Sequence, residues 1–177
     1  MRFNFVKRLV DKLPFDSLGE ISAKIAPLGW HVVIYFEAPD LPELYDFFTA
    51  LPTDVVVDHM GRPDVSKPVE GEEFGLFLRL LRENENFWCK VSCPERLSQQ
   101  QDYHYDDVVP FARKVVETFP DRVLWGTDWP HPNMLTHTPD EGMLVDFIPR
   151  IATTPELQQK LLVDNPMRLY WPEESVS

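Results

Sequence analysis

The sequence predicts an α/β fold with a parallel sheet arranged as part of a barrel. Apolar runs of strand length recur along the chain, each followed by a segment with helical spacing, and that alternation builds βαβ units. The runs are nearly continuous rather than alternating, as in strands buried on both faces. Polar and charged residues then gather just after several different runs, as in barrels that keep functional groups at the carboxyl ends of their strands. No glycine-rich loop follows any run, which argues against a doubly wound nucleotide-binding sheet.

Taken in order, Arg2-Phe-Asn-Phe5 is a short first strand, with Arg8 beyond it. Ser17 and Glu20 fit a capping box ahead of Ile21, Ile25 and Leu28. His31 to Ala38 is the second strand, with Tyr35 near its end and His31, at its start, expected to be structural. Asp40 and Glu43 suggest a second capping box, with Pro42 in the first turn, where its missing N–H is harmless. Asp54 to Asp58 is the third strand, followed at once by His59 and Arg62, and Phe87 to Val91 is the fourth, followed by Arg96. Val108, Phe111, Ala112, Val115, Val116 and Phe119 repeat at helical spacing. Arg122-Val-Leu-Trp125 is the fifth strand, and Gly126-Thr127 turns it toward Asp128. Thr154-Pro155-Glu156 opens a helix to about Val163, which Asn165-Pro166 is expected to end before a short turn with Leu169, Tyr170 and Trp171.

With neither repeat nor linker, the 177 residues are expected to form a single domain. An apolar fraction of 44% and a charged fraction of 26% are ordinary for a globular chain. The formal charge of −12 argues against nucleic acid and anionic membrane surfaces as partners. It leaves an anionic small molecule open, since a few placed arginines outweigh the global field locally. Cys89 and Cys93 lack a second ligand pair nearby, so they are expected to be small buried hydrophobes rather than a zinc knuckle. No apolar run approaches the ~20 residues that span a bilayer. Without a secretory signal pattern at Met1 to Phe5, a cytoplasmic protein is expected.

Asp128 is the residue whose placement points most directly to chemistry. A lone Asp after a strand more often caps a turn. Here it stands at the carboxyl end of a buried strand, within Gly126-Thr-Asp-Trp-Pro-His-Pro132, which has no cap pattern. His59, directly after Val55-Val-Val-Asp58, is placed in the same way, and a site role outweighs that of a core histidine. His131 either orients Asp128 or packs the loop.

Six segments carry a resemblance to a known family. They are Arg2 to Val10, Gly29 to Glu37, Val57-Asp-His-Met-Gly-Arg-Pro63, Lys90-Val-Ser-Cys-Pro-Glu-Arg96, Trp125 to Pro132, and Asn165-Pro-Met-Arg-Leu-Tyr-Trp171. In these the chain resembles the amidohydrolase-related family, in its branch of lactonases acting on 2-pyrone-4,6-dicarboxylate. The resemblance implies a (β/α)8 TIM-type barrel and metal-independent hydrolysis of the lactone to open-chain 4-oxalomesaconate, in bacterial breakdown of lignin-derived aromatics. Asp128 would be the general base and His59 the group that polarises the carbonyl. Arg2, Arg8 and Arg96 would bind the substrate carboxylates, with Arg62 assisting and Tyr35 donating to the ring substrate.

A whole barrel takes ~250 residues, so five strands are expected to be its carboxyl-terminal portion, without the first three βα units. The family's His-x-His motif is absent from the sequence. Open strand edges would then be covered by a homo-oligomer or a complementing amino-terminal segment. Two alternatives remain. One is a catalytically incomplete remnant that binds dicarboxylates or serves only as a scaffold. The other is a metal-dependent hydrolase or decarboxylase using zinc or manganese, as in the wider family.

Overall fold

The computed structural model describes residues 1–6, 15–100, 104–132, 134 and 138–173. These form two compact units, residues 1–63 with 70–89, and residues 64–69 with 90–177. In the first unit the four strands lie across the sheet in sequence order.

The first unit alternates strands and helices: β1 (Arg2–Asn4), α1 (Phe15–Ile25), β2 (Val32–Tyr35), α2 (Leu41–Thr49), β3 (Val55–Val57), α3 (Glu72–Glu83) and β4 (Phe87–Lys90). The strands pair in parallel, with Asn4 opposite Tyr35, Ile34 opposite Val57, and Val57 opposite Cys89. Val32, Ile34, Val55, Val56, Val57 and Phe87 are all 0% exposed, which is why these runs are apolar without alternation. Phe48 of α2 lies 5.1 Å, ring to ring, from both Phe5 and Phe36. These rings fill the space between sheet and helices.

Each strand is shorter than the sequence pattern indicates. The two capping boxes do not form. Ser17 lies inside α1 rather than before it. Asp40 has helical φ and ψ of −86° and −13°, because a 3-10 turn over Ala38–Asp40 runs straight into α2, and its side chain does not cap the helix. A residue already in helical conformation cannot fold its side chain back to the first-turn N–H groups. Pro42 is in the first turn, as expected.

The second unit contains α4 (Pro94–Leu97), α5 (Val109–Thr118), β5 (Val123–Leu124), α6 (Glu141–Asp146), α7 (Ile148–Ile151), α8 (Pro155–Gln159) and α9 (Asn165–Tyr170). Val91 donates its N–H to the Leu124 carbonyl at 2.8 Å, which pairs the segment ahead of α4 with β5. Thr154 caps α8 by accepting from the Leu157 N–H at 3.3 Å. Asn165-Pro166 does not end that helix. A π-helical turn over Lys160–Asp164 leads directly into α9, where Pro166 occupies the first turn and needs no N–H partner. Buried Asn165 donates to the carbonyls of Pro120 and Val123, each at 2.8 Å, and so ties α9 to the start of β5. No helix among the described residues is long and apolar enough to cross a membrane.

Candidate active site

The first unit brings three of the expected residues together around a fourth, Tyr35. Tyr35 ends β2, and the His59 ring meets it edge-on with centroids 5.5 Å apart. Arg2 and Arg62 lie 5.1 and 5.9 Å from the centroid of the same ring, within cation–π range. Arg62 Nη1 donates to the Tyr35 hydroxyl at 3.3 Å, so the tyrosine accepts from an arginine here. Arg2 pairs with buried Asp58 at 2.9 Å, and Arg62 Nε faces Glu37 at 3.7 Å. The amino-terminal strand that carries Arg2 is tied down, since Val33 donates to the Met1 carbonyl at 2.7 Å. Arg8 lies outside the described residues.

A run of left-handed backbone presents His59 and Arg62. His59, Met60, Gly61 and Arg62 have φ of 52°, 56°, 66° and 52°, and three of the four are not glycine. Such residues cost about 1–2 kcal/mol each in that conformation, so the surroundings must hold them. Met60 is 1% exposed, and the Arg62 N–H closes the turn on the His59 carbonyl at 2.9 Å. Gly61 is required: a Cβ there would sit 2.9 Å from Phe36 Cζ, in addition to the positive φ. Gly61→Ala is expected to destabilise the chain by about 2–3 kcal/mol, measured by urea unfolding. A wild-type midpoint would show that the turn is not tightly packed.

In the second unit, Asp128 follows β5 and pairs with Arg96, Nη2 to Oδ2, at 2.7 Å. The thiol of buried Cys93 donates to the same oxygen at 3.5 Å. Nε of Arg96 is buried and has no hydrogen-bond partner among the described residues, and the same holds for Nε of Arg62 in the first unit. Both cysteines are buried and outside any disulfide, as expected, but Cys93 also touches the candidate base.

Two further groups, Glu95 and Glu141, were not legible in the sequence. Glu95 Oε1 lies 3.3 Å from His131 Nδ1, and Glu141 Oε1 lies 2.7 Å from His131 Nε2. Of the three, the sequence marks only His131, because pairing between distant side chains leaves no periodic trace in sequence. Burial pushes the Glu95 carboxyl above its ordinary range, and Asp128 adds to this, while its backbone hydrogen bond and His131 oppose it. Folded Glu95 therefore binds its proton more tightly than the unfolded chain does. The stability this contributes is complete below the ordinary value of 4.5 and is lost as pH rises through the elevated one. Relative to wild type, Glu95→Gln is expected to gain thermal stability as pH rises from about 4 to 8, followed by circular dichroism melts. A constant difference across that range would contradict the elevated carboxyl.

Parallel strands with a carboxylate, an imidazole and guanidinium groups beyond their carboxyl ends are the organisation of a barrel-type α/β protein. The family model for amidohydrolases matches residues 1–171, and the chain belongs to the amidohydrolase family. It is similar to the 2-pyrone-4,6-dicarboxylate hydrolase of Comamonas testosteroni, with 72% identity over 98% of this chain and 59% of that protein. It is also 37% identical to a 4-sulfomuconolactone hydrolase of Rhizobium radiobacter, over 81% of this chain and 48% of that protein. The chain thus spans about half to three-fifths of the length of these relatives. A Burkholderia multivorans amidohydrolase solved with bound zinc shares the fold, with a TM-score of 0.68 at 18% identity over 88% of this chain and 58% of that one.

Within each unit several of the charged side chains already face one another. Asp128 Oδ2 already has a guanidinium nitrogen at 2.7 Å, which would repel a dication bound to the same carboxylate. Both ring nitrogens of His131 face carboxylates, at 3.3 and 2.7 Å. Asp58 is paired with Arg2 at 2.9 Å.

Proposed function

We propose that the chain carries the hydrolytic machinery of a lactonase acting on a dicarboxylated pyrone, 2-pyrone-4,6-dicarboxylate, without a metal. The observation that carries this reading is the pair of buried arginine Nε donors, on Arg62 and Arg96, that no protein group satisfies among the described residues. Unmet buried donors on a charged group are costly, and a carboxylate bound at either guanidinium would satisfy its Nε. The 72%-identical relative named for that substrate supports the choice.

In the mechanism, Asp128 takes a proton from water as the water oxygen bonds to the lactone carbonyl carbon. His59 hydrogen-bonds the carbonyl oxygen and stabilises the negative charge that develops there. The ring C–O bond then breaks, and the leaving enolate oxygen receives the proton held by Asp128, which restores the carboxylate. Arg2, Arg8, Arg62 and Arg96 hold the two carboxylates, and Tyr35 orients the ring. Two buried cysteines outside any disulfide accord with a reducing cytoplasm.

Isothermal titration of the Asp128→Asn variant with the dicarboxylate and with a monocarboxylated 2-pyrone tests the reading. The dicarboxylate is expected to bind about 10–100-fold more tightly, the worth of one charge-assisted contact. Equal affinities would remove dianion recognition. Stoichiometric zinc or manganese in the purified chain would favour the metal-dependent alternative.

A further inference from the structure

The turn that carries Asp128 is held from both ends, and at its His131 end by side chains that the mechanism above does not use. It runs from Asp128 to His131 and closes where the His131 N–H donates to the Asp128 carbonyl at 2.9 Å. Both end residues have positive φ, 66° and 54°, a conformation that non-glycine residues keep only where neighbours over-determine it. Arg96 and Cys93 hold Asp128, at 2.7 and 3.5 Å. Glu95 and Glu141 hold His131, at 3.3 and 2.7 Å. Three of these four residues come from the segment 93–96, itself closed by the Arg96 N–H on the Cys93 carbonyl at 3.2 Å.

We propose that Glu95, His131 and Glu141 form a clamp: positioning residues that hold the Asp128 carboxylate in its working orientation. The effect on turnover rests on the lactonase reading; the clamp itself does not. Two features distinguish it from packing alone. The Glu95 side chain is 0% exposed, and its Oε2 has no hydrogen-bond partner among the described residues. Burying an ionisable group at that cost for packing alone is unfavourable, because an apolar side chain would fill the space at less cost. The clamp also tolerates proton movement. His131 Nε2 lies 2.7 Å from Glu141 Oε1 and Nδ1 3.3 Å from Glu95 Oε1, where Glu95 can donate as a hydroxyl or accept as a carboxylate. Both contacts survive in either arrangement.

The two buried cysteines report on the clamp independently of any turnover. Cys93 touches Asp128, whereas Cys89 lies in the first unit, with its thiol pushed up by burial. Reaction with a thiol-specific disulfide reagent, mapped by peptide mass, is compared in wild type, His131→Ala, Glu95→Ala and Glu95→Gln. Both alanine variants are expected to label Cys93 at least about tenfold faster while Cys89 stays protected, as local opening requires. Glu95→Gln keeps a hydrogen bond to His131 and is expected to behave as wild type. Unchanged labelling in folded alanine variants overturns the clamp, as does labelling of both cysteines in step, which reports loosening of the whole fold. With the pyrone as substrate, the alanine variants are expected to lose about tenfold in kcat with KM within about threefold. Wild-type kcat alongside exposed Cys93 would separate the turn from catalysis. Should wild type not turn over the pyrone, the lactonase reading fails while the cysteine result still decides the clamp.

Discussion

Asp128→Asn is expected to lower turnover of 2-pyrone-4,6-dicarboxylate by about 10²–10⁴-fold, the usual worth of a positioned general base. Asparagine keeps the shape and an acceptor oxygen for Arg96 and Cys93, which now lie 2.7 and 3.5 Å from Oδ2. The turn should therefore survive, so the loss should fall on kcat. Affinity should hold or rise, because the variant no longer competes with substrate for the Arg96 charge. Steady-state kinetics and titration calorimetry on the same preparation separate the two. A variant with wild-type kcat would take Asp128 out of the mechanism.

Arg96→Gln is expected to cost about 10–100-fold in affinity for the dicarboxylate, the value of one lost charge-assisted contact. It should also lower kcat, since Arg96 is the cation against the Asp128 carboxylate. Arg96 and Asp128 are 13% and 18% exposed, so their pairing is only weakly screened. Removing the cation leaves a largely buried carboxylate without its partner, and thermal stability should fall as well. Arg96→Lys should recover little, because a point charge cannot replace a planar fork that would hold Asp128 and a substrate carboxylate at once. Full recovery by lysine would mean that charge alone, and not geometry, matters at this position.

The strands were legible because burial on both faces leaves an unbroken apolar run, as in Val55-Val-Val57. Their ends were not. The left-handed turn over His59 to Arg62 has one sequence signal, Gly61, and its other members adopt positive φ only because Phe36, Met60 and the closing hydrogen bond hold them. Helix α3 shows the spacing of an amphipathic helix in Phe74, Phe77, Leu78 and Leu81, yet no capping pattern marks its start at Gly71. The capping signals at Ser17 and Asp40 failed because a box of residue types specifies a cap only where the backbone is extended, and both residues lie in helical turns. Asn165-Pro166 resembled a helix end. The π-helical turn before it and two carbonyl acceptors for the asparagine let the chain continue. Asp128, His59, Arg62 and Arg96 could be picked out by their place after strands. Glu95 and Glu141 could not, because their importance lies in meeting His131 across the fold.

The most direct measurement follows the ultraviolet absorbance of 2-pyrone-4,6-dicarboxylate after addition of this 177-residue chain with a chelator present. Hydrolysis by Asp128 and His59 without a metal predicts steady loss of the pyrone band and appearance of the open-chain acid. An unchanged band, from a folded chain that binds the dicarboxylate in calorimetry, would contradict it.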